Sequence, residues 1–136
     1  MDQRIFKIAE KDRCILVEFQ KGLEISPDVI IEAMDHENKL YGIPGRHDCW
    51  DFRGCRPSPD FGYDAMSRVV EYITANYGGK WSEKTALLVD DSTQYGLSRM
   101  FQTLVDGYPT HIGIFQNEDD ARLWMSQKLN SEGERQ

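Results

Sequence analysis

Residues 84–105, KTALLVDDSTQYGLSRMFQTLV, set two adjacent carboxylates, Asp90 and Asp91, and two hydroxyls, Ser92 and Thr93, directly after the apolar run Ala86-Leu87-Leu88-Val89. Three kinds of chemistry fit such a turn. The aspartates could act as an acid/base pair or hold a metal, but neighbouring side chains on an extended chain point to opposite sides and need not converge. Ser92 could accept a phosphoryl group; that would place about −1.5 to −2 charges at a helix N-terminus, where anions are favoured, against the opposing charges of Asp90 and Asp91. The plainest reading is that Ser92 and Thr93 cap the helix.

Cys55 stands between Arg53 and Arg56, and neighbouring cations lower a thiol's pKa, which favours a reactive thiolate. No His or Asn/Asp arrangement with a recognisable signature accompanies it, so an inert loop thiol is the alternative. Arg46, Arg53 and Arg56 form a small basic cluster on an acidic chain. They read either as a clamp for an anion or carboxylate or as salt-bridge partners of Asp90, Asp91 or Asp60. His47 and Cys49 share a strand face, but a zinc site needs four ligands and the sequence offers no further pair. Tyr95 stands off the apolar face of the helix after the turn, and is the aromatic expected to touch a ligand or partner.

Positioning this turn takes a strand before it and a helix after it. Residues 86–89 read as a strand buried on both faces. Leu97, Met100, Phe101, Leu104 and Val105 follow at helical spacing, and Gly107-Tyr108-Pro109 ends the helix. Upstream, residues 4–9 and 13–20 are β-rich runs joined by Glu10-Lys11-Asp12, a connection short enough to force an antiparallel pair. Ser26-Pro27 starts a helix with Ile30, Ala33 and Met34 inward, and residues 41–45 form a loop. A third strand over 47–53 puts Trp50 and Phe52 on one face, Cys49 and Asp51 on the other. Residues 54–60 read as a loop in which Ser58-Pro59 repeats the helix start at Ser26. The helix after it buries Met66, Val69, Val70, Ile73 and Tyr77 and stops at Gly78-Gly79. His111–Phe115 is the fifth strand. Asn117 caps a last helix with Ala121, Trp124, Met125 and Leu129 inward, and residues 130–136 read as a flexible tail. The order ββαβαβαβα predicts an α/β fold in one domain over residues 1–129. Its single mixed five-stranded sheet opens with an antiparallel hairpin and continues in mostly parallel βα units. Ligands of open α/β sheets sit outside the carboxyl ends of strands, so the edge built from residues 53–57 and 90–97 is the expected site.

Composition narrows the function. With 136 residues the chain can bury a real core, and its net charge of −7 argues against nucleic acid or anionic membrane as partner. No apolar run approaches a membrane span, and residues 1–13, MDQRIFKIAEKDR, lack a signal peptide's apolar core. Three cysteines without a CxxC suggest neither disulfide framework nor zinc knuckle, so the expected compartment is the cytoplasm.

Four places in this order resemble the SpoIIAA-like group of the STAS superfamily, also described as STAS/SEC14-like domains. They are the opening hairpin closing in Lys21-Gly22, and the strand Trp50-Asp51-Phe52-Arg53. The third is residues 86–90 followed by Tyr95-Gly96-Leu97-Ser98-Arg99-Met100-Phe101, and the fourth is Ile114-Phe115 followed by Ala121 and Trp124. The resemblance covers nearly the whole chain and implies a small α/β domain with a curved sheet. From the anti-sigma-factor antagonists in that superfamily it implies binding to a protein partner, switched by phosphorylation of a Ser in an Asp-Ser-Ser-Gly-Leu-like turn. Here Asp91-Ser92-Thr93-Gln94-Tyr95-Gly96-Leu97 is similar, with a longer spacing to Gly-Leu.

These readings point to a non-enzymatic regulatory or binding module that takes a protein partner or a small apolar-anionic ligand, with no cofactor. Arg53, Arg56, Asp90, Asp91, Ser92, Thr93 and Tyr95 are its expected binding residues. The alternatives are a small enzyme using Cys55 or the Asp90/Asp91 turn, and a phospho-switch at Ser92. A homodimer would cover Val29, Ile31 and Leu123, read as exposed.

Overall fold

The computed structural model describes residues 5–43 and 45–127. The chain runs β1 (Phe6–Lys11), β2 (Cys14–Phe19), β3 (Glu24–Ile25), α1 (Pro27–Tyr41), β4 (His47–Asp51), β5 (Arg56–Pro57), α2 (Tyr63–Asn76), β6 (Lys84–Leu88), α3 (Ser92–Leu104), β7 (His111–Phe115) and α4 (Glu118–Ser126). The main sheet has five strands in the order β1-β2-β4-β6-β7; β1 and β2 are antiparallel and every later neighbour is parallel, as expected. Arg4, Pro44, Leu129 and the tail 130–136 lie outside the described residues.

The strand order never reverses, and this decides where the helices go. Right-handed crossovers that always advance in one direction put their helices on one face. So α1, α2 and α3 form a layer over Phe6, Ile15, Val17, Phe19, Trp50 and Leu87. On the opposite face α4 packs Ala121 and Trp124 on Cys49, Ala86 and Leu88. Without a reversal there is no switch point, and therefore no crevice between helices diverging from opposite faces.

Alternation along the strands assigns the two faces. Trp50 and Leu87 face the helix layer, whereas Cys49, Ala86 and Leu88 face α4. Lys84 belongs to the α4 side and is 1% exposed. Its Nζ donates to the carbonyls of Trp124 (2.8 Å), Met125 (3.3 Å) and Gln127, placing a cation on the negative end of α4. Gly113 of β7 lies beneath Trp124; a Cβ there would come within 2.6 Å of the Phe115 ring.

Several boundaries differ from the sequence reading. The hairpin turn is Asp12-Arg13, with φ of 54° and 65°, so β1 runs on through Lys11 and the loop has the two-residue form with left-handed backbone. Ser26 caps α1 as expected, accepting from Val29 N at 3.3 Å. Ser58-Pro59 does not start α2: Ser58 is buried and donates to Asp60 Oδ1 at 2.9 Å, and the helix begins at Tyr63 after Gly62. The loop read over 54–60 contains β5, which pairs in parallel with β3 as a small second sheet. Two-residue strands such as Glu-Ile and Arg-Pro carry no periodicity to read. Val29 and Ile31 are half-buried against the core, leaving Leu123, at 62% exposure, as the exposed one of those three residues.

Candidate functional site

The edge singled out from the sequence is a set of closed contacts. Asp90 accepts from Gly54 N at 2.9 Å, and Asp91 caps α3 by accepting from Gln94 N at 2.8 Å. Each aspartate thus holds a separate backbone N–H. Asp91, and not Ser92 or Thr93, is the cap; Ser92 is the first helical residue, and Ser92, Thr93 and Tyr95 are exposed. Arg53 grips Asp51 through two bonds of 2.9 and 2.8 Å. Burial raises the Asp51 carboxyl, and the Arg53 side-chain and backbone N–H groups outweigh that and hold it below the usual carboxylate range. Arg56 donates to Gly22 O at 3.1 Å and faces Glu24 at 3.9 Å. Arg53 therefore pairs with Asp51 and, at 3.8 Å, with Glu118, and Arg56 with Glu24, rather than with Asp90, Asp91 or Asp60.

Cys55 is 6% exposed, and its Sγ lies 3.5 Å from Gln20 O and 4.0 Å from Arg53 O. Burial pushes the thiol up, and nearby Lys21 only partly offsets it. The lowering expected from Arg53 and Arg56 does not occur, because both guanidinium groups are turned to other partners. Among the described residues no three His, Cys, Asp or Glu side chains gather as metal ligands.

What the structure does assemble lies deeper. Between the sheet and the helix layer is a cavity of about 140 Å³. Its floor is Asp48, Trp50 and Phe52 along the β4 segment, Thr85 and Leu87 of β6, and Ile112 of β7. Its roof is Ile30, Met34 and Glu37 of α1, Met66, Val69 and Ile73 of α2, and Gln94, Leu97, Ser98 and Phe101 of α3. The lining is mostly apolar, and the space communicates with solvent. The expected edge contributes Cys55, Arg56, Pro57, Gln94 and Leu97 to one end. Gln94 fixes that end: it accepts from Asp90 N (2.7 Å) and donates to Cys55 O (2.7 Å) and Phe52 O (3.1 Å).

The other end is a polar cluster. Arg46 Nε donates to Ser82 Oγ at 2.7 Å, Nη1 to Asn38 Oδ1 and Gly42 O at 2.6 Å each, and Nη2 to Glu37 Oε1 at 3.1 Å. Asp48 accepts from Thr85 Oγ1 (2.5 Å), Ser82 Oγ (3.1 Å) and Trp50 Nε1 (3.2 Å). Three donors ring Asp48, and its Oδ2 lies 3.7 Å from Arg46 Nε. Glu37 has the geometry of an ion pair with Arg46 but no solvent exposure at all. Burial, and after it the Asp48 charge and a hydrogen bond to Asp48, push the Glu37 carboxyl up to about 11 against the pull of Arg46. Glu37 is therefore held as a neutral acid at pH 7. With Oε1 accepting from Arg46, the proton that Glu37 shares with Asp48 sits on Oε2; Trp81 Nε1, on a residue that lines the cavity, is buried without an acceptor.

Glu37 and Ser82 were not singled out from the sequence, and Asp48 drew notice only beside His47 and Cys49, yet Glu37 and Asp48 left a signal. Glu37 is seven residues after Ile30, in the same apolar stripe, and Asp48 is two before Trp50, on the same strand face. A carboxylate in an inward-facing position is the mark of a buried polar site.

No protein-family model and no curated protein sequence matches the chain. Among solved structures it is similar to an uncharacterized protein of the DUF3478 family, with a SpoIIAA-like fold, from Shewanella loihica PV-4. The match has a TM-score of 0.53 at 14% identity and covers 91% of this chain and 98% of that one. Among the described residues no helix is long and apolar enough to cross a membrane. With its mixed five-stranded sheet and four helices, the chain has a SpoIIAA-like α/β fold.

Proposed function

We propose that this chain is a non-enzymatic binding module that holds a small, largely apolar molecule in the cavity between its sheet and its helix layer. The observation that carries this reading is the cavity itself. Protein interiors pack to crystal-like density with few voids larger than a water. A space of about 140 Å³ is comparable to engineered cavities in another protein that admit benzene. Mostly apolar walls with a few convergent polar groups are the usual make-up of a ligand site. The non-enzymatic part is supported by Cys55, the thiol at the cavity, whose sulfur faces the Gln20 and Arg53 carbonyl oxygens and is pushed up by burial. Three free thiols favour a reducing compartment such as the cytoplasm.

The test is a titration with toluene, followed through the methyl resonances of Met34, Met66 and Ile73. Saturable shifts confined to cavity methyls, and lost when Ser98→Phe fills the space, are expected. Unmoved methyls at saturating toluene in the wild-type chain would overturn the reading. A protein partner is the second reading, favoured by Tyr63 and Tyr95, 60% and 50% exposed in the first turns of α2 and α3. Loss of a co-purifying partner on Tyr95→Ala would mark it.

A further inference from the structure

We infer that the ligand of this cavity carries a neutral oxygen acceptor on an apolar body, as a small aromatic ketone, aldehyde or ester does, and that the indole N–H of Trp81 receives it. This rests on the cavity being a ligand site and names the chemistry of the ligand's tip. Two tryptophans line the cavity, Trp50 and Trp81. Trp50 Nε1 donates to Asp48 Oδ2 at 3.2 Å. Trp81 Nε1 is buried and has no acceptor among the described residues. An indole nitrogen can only donate, so the partner it lacks is an acceptor. Buried N–H groups nearly always have one.

The chain around Trp81 has its acceptors engaged. Tyr77 O takes Lys80 N at 3.1 Å, Ser82 O takes Thr110 Oγ1 at 2.7 Å, Ser82 Oγ takes Arg46 Nε at 2.7 Å, and Glu83 O takes His111 N at 3.0 Å. The Trp81 ring meets Tyr108 edge to face, with centroids 5.0 Å apart. Trp81 is half-buried, and Lys80 before it, also on the cavity wall, is exposed, so this is an end where the cavity nears solvent. The ligand's body lies against the apolar wall of Met34, Met66, Val69 and Ile73, and its tip turns to Trp81. The volume limits that body to about the size of one aromatic ring.

Other tips fit less well. A hydrocarbon leaves the indole N–H unpaired, and an ammonium brings donors alone. A hydroxyl accepts, but adds a hydrogen that itself needs an acceptor. A carboxylate accepts, but its charge must leave water, and Arg46 already donates to Ser82, Asn38, Gly42 and Glu37. A neutral carbonyl asks for a donor and nothing else.

The experiment compares three probes that share a ring: toluene, acetophenone and benzoate. Each is titrated into the wild-type chain at pH 7.5. The dissociation constant is read from cavity methyl shifts, and the hydrogen bond from the Trp81 indole N–H resonance. That resonance is assigned by its loss in Trp81→Phe, or by its contacts with Tyr108 where the variant does not fold. Toluene is the most apolar probe, so burial alone favours it; a reversal requires the hydrogen bond. Acetophenone is expected to bind roughly tenfold tighter than toluene and to move the indole proton downfield. Benzoate is expected to bind more weakly than both, and Trp81→Phe to erase the preference for acetophenone while keeping toluene. If toluene binds as well as acetophenone, or if bound acetophenone leaves the indole proton in place, the acceptor assignment is wrong while the cavity reading stands. If benzoate binds tightest, a charge such as that of Lys80 decides recognition and the assignment is also wrong. If no probe binds, the cavity reading falls and the inference falls with it.

Discussion

Glu37→Gln replaces one oxygen by an NH2 group and removes the need for a proton. The amide oxygen can still accept from Arg46 and the NH2 group can donate to Asp48, so the packing of α1 over β4 is kept. The consequence is a change in pH dependence. Glu37 titrates at an ordinary 4.5 in the unfolded chain and at about 11 in the folded one. Between these values the folded protein holds a proton that the unfolded chain has released, so stability falls as pH rises, by about 1.4 kcal/mol per pH unit. At pH 7 the accumulated loss is about 3 kcal/mol, which depends on the unfolded value and the pH, provided the folded value stays above 7. Against a total of roughly 5–15 kcal/mol for a domain, that is a large share. The variant does not pay it. Urea unfolding of both proteins from pH 5 to pH 9 is expected to give nearly equal stabilities at pH 5. The variant should then pull ahead by about 3 kcal/mol at pH 7 and further at pH 8. The opposite result has a clear meaning: if Glu37 is ionised and paired with Arg46, the variant loses stability by about 3–5 kcal/mol across the range. Parallel curves, or a destabilised variant at pH 7, would refute the neutral-acid assignment.

Two further outcomes follow from the contacts. Gln94→Ala leaves the Phe52 and Cys55 carbonyls and Asp90 N without partners and is expected to cost about 1–3 kcal/mol in urea unfolding; a loss under about 0.5 kcal/mol would show that Gln94 does not hold the two loops together. Burial, then Asp48, pushes the Cys14 thiol up to about 12, and burial also raises Cys49 and Cys55. Labelling by an aromatic disulfide reagent at pH 7.5 should therefore proceed only as fast as the chain opens, whereas rapid native-state labelling of Cys55 would restore the reactive-thiol reading.

The elements of the main sheet were legible because their signals are local and redundant. Trp50 and Phe52 alternate with Cys49 and Asp51, and Met66, Val69, Val70 and Ile73 mark one helix face, so fold class and strand direction followed. Elements fixed by long-range contact were not legible. The β3–β5 pair has two residues per strand and exists because Gly22 N meets Gly54 O and Ser58 N meets Ile25 O. The polar cluster at the cavity was overlooked for a related reason. Asp90, Asp91, Ser92, Arg53 and Arg56 attracted attention as polar residues in loops, and most of them are occupied in holding loops and caps. Glu37 and Asp48 were passed over because a single charged residue in an apolar stripe looks like an interruption of the pattern. Arg46 was noticed as a cation, but its role depends on β4 and α1 meeting, which no spacing in the chain encodes.

The buried cluster is hard to explain as a device for stability. Exchanging a buried ion pair for apolar side chains of similar volume is often neutral or stabilising, and the raised Glu37 carboxyl makes the folded state weaker at neutral pH. A core shaped by packing alone would also fill a space of this size. It would not leave an indole N–H without an acceptor, since nearly all buried polar groups find a partner. Departures from a well-packed, well-paired interior are expected at functional sites, where another demand outweighs stability. Here a mostly apolar cavity and the buried indole N–H of Trp81, one of its lining residues, occur together. A molecule with an apolar body and an acceptor at its tip would resolve both at once, which is why the cavity, and not the loop edge, is the first place to test for a ligand.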